Sequence, residues 1–431
     1  MRVLVVGSGG REHVLAWRLS RDAASCNLHA SPGNPGIASL GTCHRIPATD
    51  IAALIDLADA LRPDLTIVGP EAPLAAGIVD AFSARGLRIF GPTRSAAQLE
   101  SSKVFAKQLM VRHGISTPPF EVFERAEDAI AYLRRVNRPS VVKADGLAAG
   151  KGVVVAETSE AAEDAVTGMM IRRVHGAAGA RILIEERLEG RETSVLAFVR
   201  GARLWPLLPA QDYKRSLDGG SGQNTGGMGA IAPAQVSPAI AAQIVDEIME
   251  PVAAAMVSDG FPYIGVLYAG VMLTSDGPQV LEFNCRFGDP EAQVILPLLE
   301  GDLAPALVDV LEGGGPDLTW SEDTAVCVVV ASEGYPGPYP TGRRITGLDR
   351  IPAGVLTFHA GTAEHNGALV TAGGRVLDVV GRGPDLDAAR GRAYAGVAAL
   401  SFEGMQFRRD IGRTAPRAAM AGTGAGGGSV R

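Results

Sequence analysis

Apolar positions fall into two rhythms along this chain, short unbroken runs and helical spacings, and at the start the two alternate. Residues 3–6, Val-Leu-Val-Val, predict a buried strand, while Val14, Leu15, Trp17 and Leu19 are spaced as on one side of a helix. Between them, Gly7-Ser-Gly-Gly-Arg-Glu-His13 predicts a turn. Strand and loop recur at residues 27–30 before Ser31-Pro-Gly-Asn-Pro-Gly36, at 65–68 before Gly69-Pro-Glu-Ala-Pro73, and at 88–90 before Gly91-Pro92. Every one of these loops leaves the carboxyl end of a strand. In a doubly wound sheet they converge on one crevice, so residues 1–101 predict a parallel α/β domain with a phosphate-sized site. A glycine turn that opens a helix presents N–H groups to an anion. It is a poor dinucleotide fingerprint, because Glu12 stands where a third glycine would allow close helix packing.

Residues 95–113 predict one helix ended by Gly114, with Lys103 and Lys107 a turn apart as phosphate ligands, or with Lys107 on a solvated face. After Pro118-Pro119 come a strand at 120–122 and a helix at 126–136. Strands at 141–143 and 152–156 predict a hairpin whose loop carries Gly146, Gly150, Lys151 and Gly152. Such a loop suits a lid over phosphates, although a plain hairpin loop also fits. It is not a Walker A loop, since three residues separate the glycines instead of four and glycine follows the lysine. Strands at 181–186 and 192–198 precede residues 211–229, dense in glycine and amides. Read alone, that stretch is a flexible connector, yet Asp212, Lys214 and Asn224 suit a substrate loop.

Residues 238–258 predict a helix, and 268–281 a hairpin turning at Asp276-Gly277. Glu282 and Asn284 follow at spacing two and share a sheet face, with Arg286 next in the row. A carboxylate, an amide oxygen and a guanidinium so arranged suit a metal-nucleotide, the metal on two oxygens and the Arg on a terminal phosphate. An ordinary polar strand face fits the spacing equally well. Residues 325–409 are strand-rich, and the Ala/Gly-rich stretch from 413 to 431 is expected to be disordered.

Composition narrows the ligands. At 431 residues the chain has room for two to four domains. A net charge of −7 argues against a general nucleic-acid or anionic-membrane surface, so small molecules are the expected partners. Cys26, Cys43, Cys285 and Cys327 show neither a zinc spacing nor a disulfide framework. With no signal-peptide core and no membrane-length apolar run, the expectation is a cytoplasmic protein. Of 40 basic residues only Lys103, Lys107, Lys143, Lys151 and Lys214 are lysines, all in one region. Coding bias with chance clustering would give this pattern, and so would a need for a compact ammonium where a forked guanidinium will not fit, which the surroundings of Lys143 and Lys151 favour.

Taken in order, Val6-Gly-Ser-Gly-Gly-Arg-Glu-His13, Pro32-Gly-Asn-Pro-Gly36, Val68-Gly-Pro-Glu-Ala-Pro-Leu74, Lys143-Ala-Asp-Gly-Leu-Ala-Ala-Gly-Lys-Gly152, Gln211-Asp-Tyr-Lys-Arg215, Asn224-Thr-Gly-Gly-Met-Gly229 and Glu282-Phe-Asn-Cys-Arg-Phe-Gly-Asp-Pro-Glu291 carry a resemblance. The chain resembles the ATP-grasp ligases and, within them, the phosphoribosylamine-glycine ligase family, from residue 1 to about 412. The resemblance implies an N-terminal α/β domain at 1–101, an ATP-grasp domain at 102–321 with a mobile lid at about 120–190, and a small β-rich C-terminal domain at 322–412. It implies the joining of glycine to 5-phosphoribosylamine through glycyl phosphate, with ATP and Mg2+ or Mn2+, by a monomer or weak dimer in purine synthesis. No protein nucleophile is needed for that chemistry.

Residue by residue, the resemblance implies Glu282 and Asn284 on the metal, and Arg286 and Lys143 on the transferring phosphate. Lys103, Gly150, Lys151 and Gly152 would hold the nucleotide phosphates. Adenine would lie at Glu185, Glu186, Arg187 and Leu188, and the ribose on Glu192. Glycine and its acyl phosphate would meet Asp212, Lys214, Asn224, Thr225, Gly226, Gly227, Met228, Gly288 and Asp289. The sugar phosphate would meet Gly9, Gly10, Arg11, Pro70 and Glu71. Three departures bear on this: Tyr213 replaces a usual His, Ser216-Leu217 replaces Val-Gly, and Leu267-Tyr-Ala-Gly270 lacks the acidic metal ligand many ATP-grasp enzymes carry there. A sister ligase on another purine intermediate and a nucleotide sensor with a decayed site are the competing readings. Intact Lys143, Glu282, Asn284 and Arg286 weigh against the sensor.

Overall fold

The computed structural model describes residues 1–148 and 150–413. Five apolar runs form a parallel sheet of β1 (Arg2–Gly7), β2 (Asn27–Pro32), β3 (Thr42–Cys43), β4 (Leu65–Val68) and β5 (Ile89–Phe90), in the order β3-β2-β1-β4-β5. The order reverses at β1, so the loops after β1 and β4 flank the crevice where such sheets bind ligands. Helix α1 (Gly10–Leu19) starts earlier than its apolar spacing indicates. Glu12 supplies the reason: its carboxylate folds back to accept the Gly9 N–H, and a side chain that satisfies an orphan donor extends the helix to that point. Arg11, Glu12 and His13 thereby become a buried first turn rather than an exposed loop.

The helix expected over 95–113 is two helices, Gln98–Ser101 and Lys103–Arg112, broken at Ser102. Ser102 caps the second by accepting the Phe105 N–H at 3.1 Å while its hydroxyl donates to Asp145 Oδ1 at 2.9 Å. Asp145 also accepts the Val104 N–H at 2.8 Å and both Arg181 donors at 2.9 and 2.6 Å. One carboxylate therefore ties the start of the glycine loop to the lysine-bearing helix. Beyond it, β6 (Phe120–Phe123), β7 (Ser140–Ala144), β8 (Val153–Ala156) and β9 (Ile182–Glu186) form an antiparallel sheet ordered β6-β9-β7-β8, with the expected β7–β8 hairpin. Helices Ala126–Val136 and Ser159–Val166 help close its separate core.

A long strand β10 (Arg191–Arg200) pairs with Ile264–Thr274, which turns at Thr274 and Gly277 into Gly277–Asn284. The pairing shifts between Gly270, opposite Glu282, and Val271, opposite Val280. This bulge takes Leu281 out of the ladder and frees its carbonyl, which accepts from Lys143 Nζ at 2.9 Å. The strand-rich C-terminal segment does not close on itself. Its sheet, built on Thr324–Ser332, Arg375–Gly383 and Leu356–His359, also takes in Gln211–Asp212 and Gly229–Ala232. The glycine-rich stretch is thus pinned at both ends, with a small hairpin of Arg215–Leu217 and Ser221–Asn224 between, not a flexible connector. The expected boundary at 321/322 cuts across this sheet. The expectation for the tail falls on 414–431, outside the described residues. Among the described residues no helix is long and apolar enough to cross a membrane.

Candidate active site

The three sheets meet around a cavity of about 730 Å³. Glu282 stands in it among Lys103 from a helix, Lys143 from β7 and Lys214 from the pinned loop. Burial opposes ionisation of Glu282, but Lys214, Lys143, Lys103 and Arg286 outweigh it and hold its pKa below the usual carboxylate range. Lys214 ion-pairs with Asp212 at 2.8 Å and approaches Glu282 at 3.8 Å. Against burial, Asp212, Tyr268, Glu282 and Glu192 push its pKa well above the usual lysine value.

Asn284, with its nitrogen turned to Glu100, donates to Glu100 Oε1 at 2.9 Å and to Phe283 O at 3.2 Å, so its amide oxygen faces away from that carboxylate. Arg286 lies against Glu100 at 2.8 Å and Glu71 at 3.3 Å. Its guanidinium therefore joins the cavity wall to carboxylates of the first domain. Glu100, which no periodicity marks, is buried, and desolvation raises its carboxyl. It also accepts the Cys285 N–H at 2.7 Å. Only a lone Glu in the apolar context of Leu99 signalled it.

Lys107 is buried, not on a solvated face. It donates to Thr117 Oγ1 at 2.6 Å and sits 3.1 Å from Glu185, whose other oxygen is 2.7 Å from Lys143. Burial brings the Lys107 pKa down to about 8 despite that partner. The Glu185 side chain therefore faces two lysines, leaving its backbone and Glu186, Arg187, Leu188 and Glu192 along the cavity wall. Burial raises the Glu192 carboxyl. Gly150 and Gly152 line the cavity, whereas the exposed Lys151 does not.

The pinned loop divides between cavity and core. Asn224, Thr225 and Gly226 line the cavity, while Met228 is fully buried and Gly227 packs close to Pro290, so neither of those two presents a side chain to a substrate. Tyr213 points into the C-terminal core: Arg408 covers its ring at 5.2 Å and its hydroxyl accepts the Gly412 N–H at 3.1 Å. That departure from the family pattern leaves the cavity untouched. Gly288 and Asp289 continue the wall towards α1. Asp289 accepts Arg375 NH2 at 2.9 Å and Gln293 Nε2 at 2.8 Å, and these partners, with the opposing charges of Arg11 and Arg286, hold it below the usual carboxylate range against burial.

The first-domain turn is adjacent: a Cβ on Gly9 would lie 3.8 Å from Asp289 Oδ2. With the Gly9 amide committed to Glu12, the donors left at the head of α1 are those of Gly10, Arg11 and Glu12. The Arg11 side chain is tied inward, to Glu12 at 2.6 Å and to Phe287 O at 3.3 Å. Pro70 precedes the helix opened by Glu71 and does not line the cavity. A Cβ on Gly10 would fall 1.8 Å from Asp378 Oδ2. Gly10→Ala is accordingly expected to cost about 1–3 kcal/mol by overpacking, read as a lower denaturation midpoint.

Among the described residues no three His, Cys, Asp or Glu side chains converge as a metal cluster. What the cavity offers a cation is the ionised Glu282 with the Asn284 amide. That set suits an ion arriving with phosphates to complete its shell and is too small to hold a bare ion tightly.

Residues 1–100, 101–292 and 325–414 match the N domain, the ATP-grasp (A) domain and the C domain of phosphoribosylglycinamide synthetase. The phosphoribosylamine-glycine ligase of Ralstonia nicotianae is 49% identical over 421 residues, covering 97% of this chain and 100% of that one. That of Halalkalibacterium halodurans is 46% identical over 416 residues, covering 96% and 97%. The crystal structure of the Thermotoga maritima phosphoribosylamine-glycine ligase superposes with a TM-score of 0.84 at 35% identity, covering 95% of this chain and all of that one. ATP-grasp ligases work with ATP and a divalent metal. With three domain matches spanning the described fold and relatives aligned nearly end to end, the chain belongs to the phosphoribosylglycinamide synthetase family, the ATP-dependent ligases that join glycine to phosphoribosylamine in purine biosynthesis.

Proposed function

We propose that ligation runs in two displacements along this one cavity. Adenine occupies the wall of Glu186, Arg187 and Leu188, with the ribose on Glu192. The phosphates lie between Lys103, Lys143 and the loop of Gly150 and Gly152. A glycine carboxylate oxygen attacks the γ-phosphorus, the bond to the β–γ bridging oxygen breaks, and ADP leaves. The amine of 5-phosphoribosylamine then attacks the acyl carbon, the carbon–oxygen bond to phosphate breaks, and the nitrogen loses a proton.

Positioning and charge neutralisation dominate such phosphoryl transfer, which suits a cavity with no activated nucleophile and many cations. Glu282 and Asn284 are the residues that would hold Mg2+ or Mn2+, and the bound ion would neutralise charge on the phosphate oxygens. Lys214, Asp212, Asn224, Thr225, Gly226 and Asp289 orient glycine, and the head of α1 takes the sugar phosphate, with the ionised Glu71 beside the sugar rather than on the phosphate. The observation that carries this reading is the continuity of the lysine-ringed Glu282 with Asp289 and the α1 turn. A cytoplasmic monomer or weak dimer fits it.

The test is ADP release from ATP with each amine and amino acid in turn. Release that requires both glycine and phosphoribosylamine is expected. ADP formation indifferent to those two would assign a sister reaction, and absence of ATP binding would favour a nucleotide sensor.

A further inference from the structure

Asp378 is a second buried carboxylate behind the glycine wall, outside every sequence motif and without a part in the two displacements. It lies on Arg375–Gly383, the central strand of the C-terminal sheet, opposite Val329 on one neighbour and Phe358 on the other, and is 1% exposed. The Gln293 amide nitrogen donates to Asp378 Oδ2 at 2.8 Å and to Asp289 Oδ1 at 2.8 Å. One NH2 group thus spends both hydrogens on two carboxylates. Asp289 is in turn held by Arg375 NH2 at 2.9 Å. Asp378 Oδ1 and Gln293 Oε1 are buried without a partner.

We propose that Asp378 is a positioning residue for glycine binding: in its neutral form it lets Gln293 hold Asp289 against Arg375, and in its ionised form it withdraws that support. The proposal rests on the assignment of Asp289 to the glycine pocket. The charged and titratable groups facing Asp378 are Asp289 from the loop after the hairpin, Arg375 on its own strand and Cys327 on the adjacent one. Helix α1 presents the Gly10 backbone, and the other neighbouring strand presents Phe358.

Ionised, Asp378 would place a second negative charge beside Asp289 and the anionic sugar-phosphate site at the head of α1, with Arg375 as the cation that faces both carboxylates. Protonation instead converts an acceptor that lacks a donor into a donor. Burial, then repulsion from Asp289, raises its carboxyl to about 7. The switch therefore falls near neutral pH, with the competent form on the acid side.

The experiment is the pH profile of kcat/KM for glycine in the wild type and in Asp378→Asn, which keeps the shape and cannot ionise. The wild type is expected to fall about tenfold relative to the variant at pH 8, with the two close at pH 6 and the change in glycine KM rather than kcat. In a Gln293→Leu background, Asp378→Asn should no longer alter the profile. Melting provides a readout independent of activity. The native state holds a proton between pH 3.8 and about 7 that the unfolded chain has lost, so the wild type should lose stability relative to Asp378→Asn across that window and not above it. Parallel glycine profiles in wild type and variant would overturn the proposal. An unchanged glycine KM in Asp289→Asn would instead overturn the glycine-pocket assignment on which it rests.

Discussion

Glu282→Ala is expected to lower metal-dependent ADP release by about 10²–10³-fold while the protein keeps its fold, because a charge-stabilising group is lost from the site of phosphoryl transfer. The fold should survive for a local reason. Lys214 retains Asp212 at 2.8 Å and Lys143 retains Glu185 at 2.7 Å, so removing Glu282 leaves neither lysine without a carboxylate. Glu282 is also a third exposed at its side chain, so no sealed cavity is created. The measurement is ADP release against metal concentration, beside a thermal melt of the same sample. A larger metal requirement with an unshifted melt is the expected pair of results. Full activity at ordinary metal concentration would remove Glu282 from the metal site.

The second large effect is on stability. Glu185→Gln should lower the unfolding free energy at pH 7 by about 3–5 kcal/mol, the usual consequence of removing one partner from a buried ion pair. Glu185 lies between two ammonium groups, 3.1 Å from Lys107 and 2.7 Å from Lys143, at 1% side-chain exposure. The neutral amide leaves both charges buried and uncompensated. Lys107, already lowered by burial to about 8, gives the pH dependence its sign. Between about 8 and 10.5 the unfolded chain binds a proton that the native state has released, so raising pH through that window favours the native state. Without Glu185 the ammonium is shed at still lower pH, and the deficit of the variant should be smaller at pH 9 than at pH 7. Urea midpoints at the two pH values decide it: equal deficits would show that Lys107 is not the responsible group. On the proposed reading ATP should also bind more weakly to the variant, since Glu185 holds Lys143 at 2.7 Å.

How far the site could be read in advance depended on the kind of contact. Glu282 and Asn284 were legible because strand alternation puts residues two apart on one face whatever the strand packs against. The glycine loop at 146–152 was legible because Gly150 adopts a positive φ of 73° in a turn between paired strands, a local requirement that glycine meets without strain. The helix break at Ser102 was not, since it depends on Asp145, which the chain brings back from 43 residues away. Glu100, 185 residues from the Cys285 amide it accepts, gave no periodic sign of being a site residue. Motif membership does not separate Met228, which is buried in the core, or the exposed Lys151 from their neighbours that line the cavity, since one short sequence serves different surroundings in succession.

From local chemistry alone, the chain specified its strand-loop-helix units, the row that carries Glu282 and Asn284 and the hairpin at Asp276-Gly277. These follow from chain periodicity and turn preferences, which act within a few residues and need no partner. Only the tertiary structure decided that Arg286 rests between Glu71 and Glu100, that Lys107 and Lys143 share Glu185, and that Asp378 reaches Asp289 through Gln293. Ionisation and pairing of buried charges depend on which groups the fold brings within a few ångströms and how much water it removes from between them.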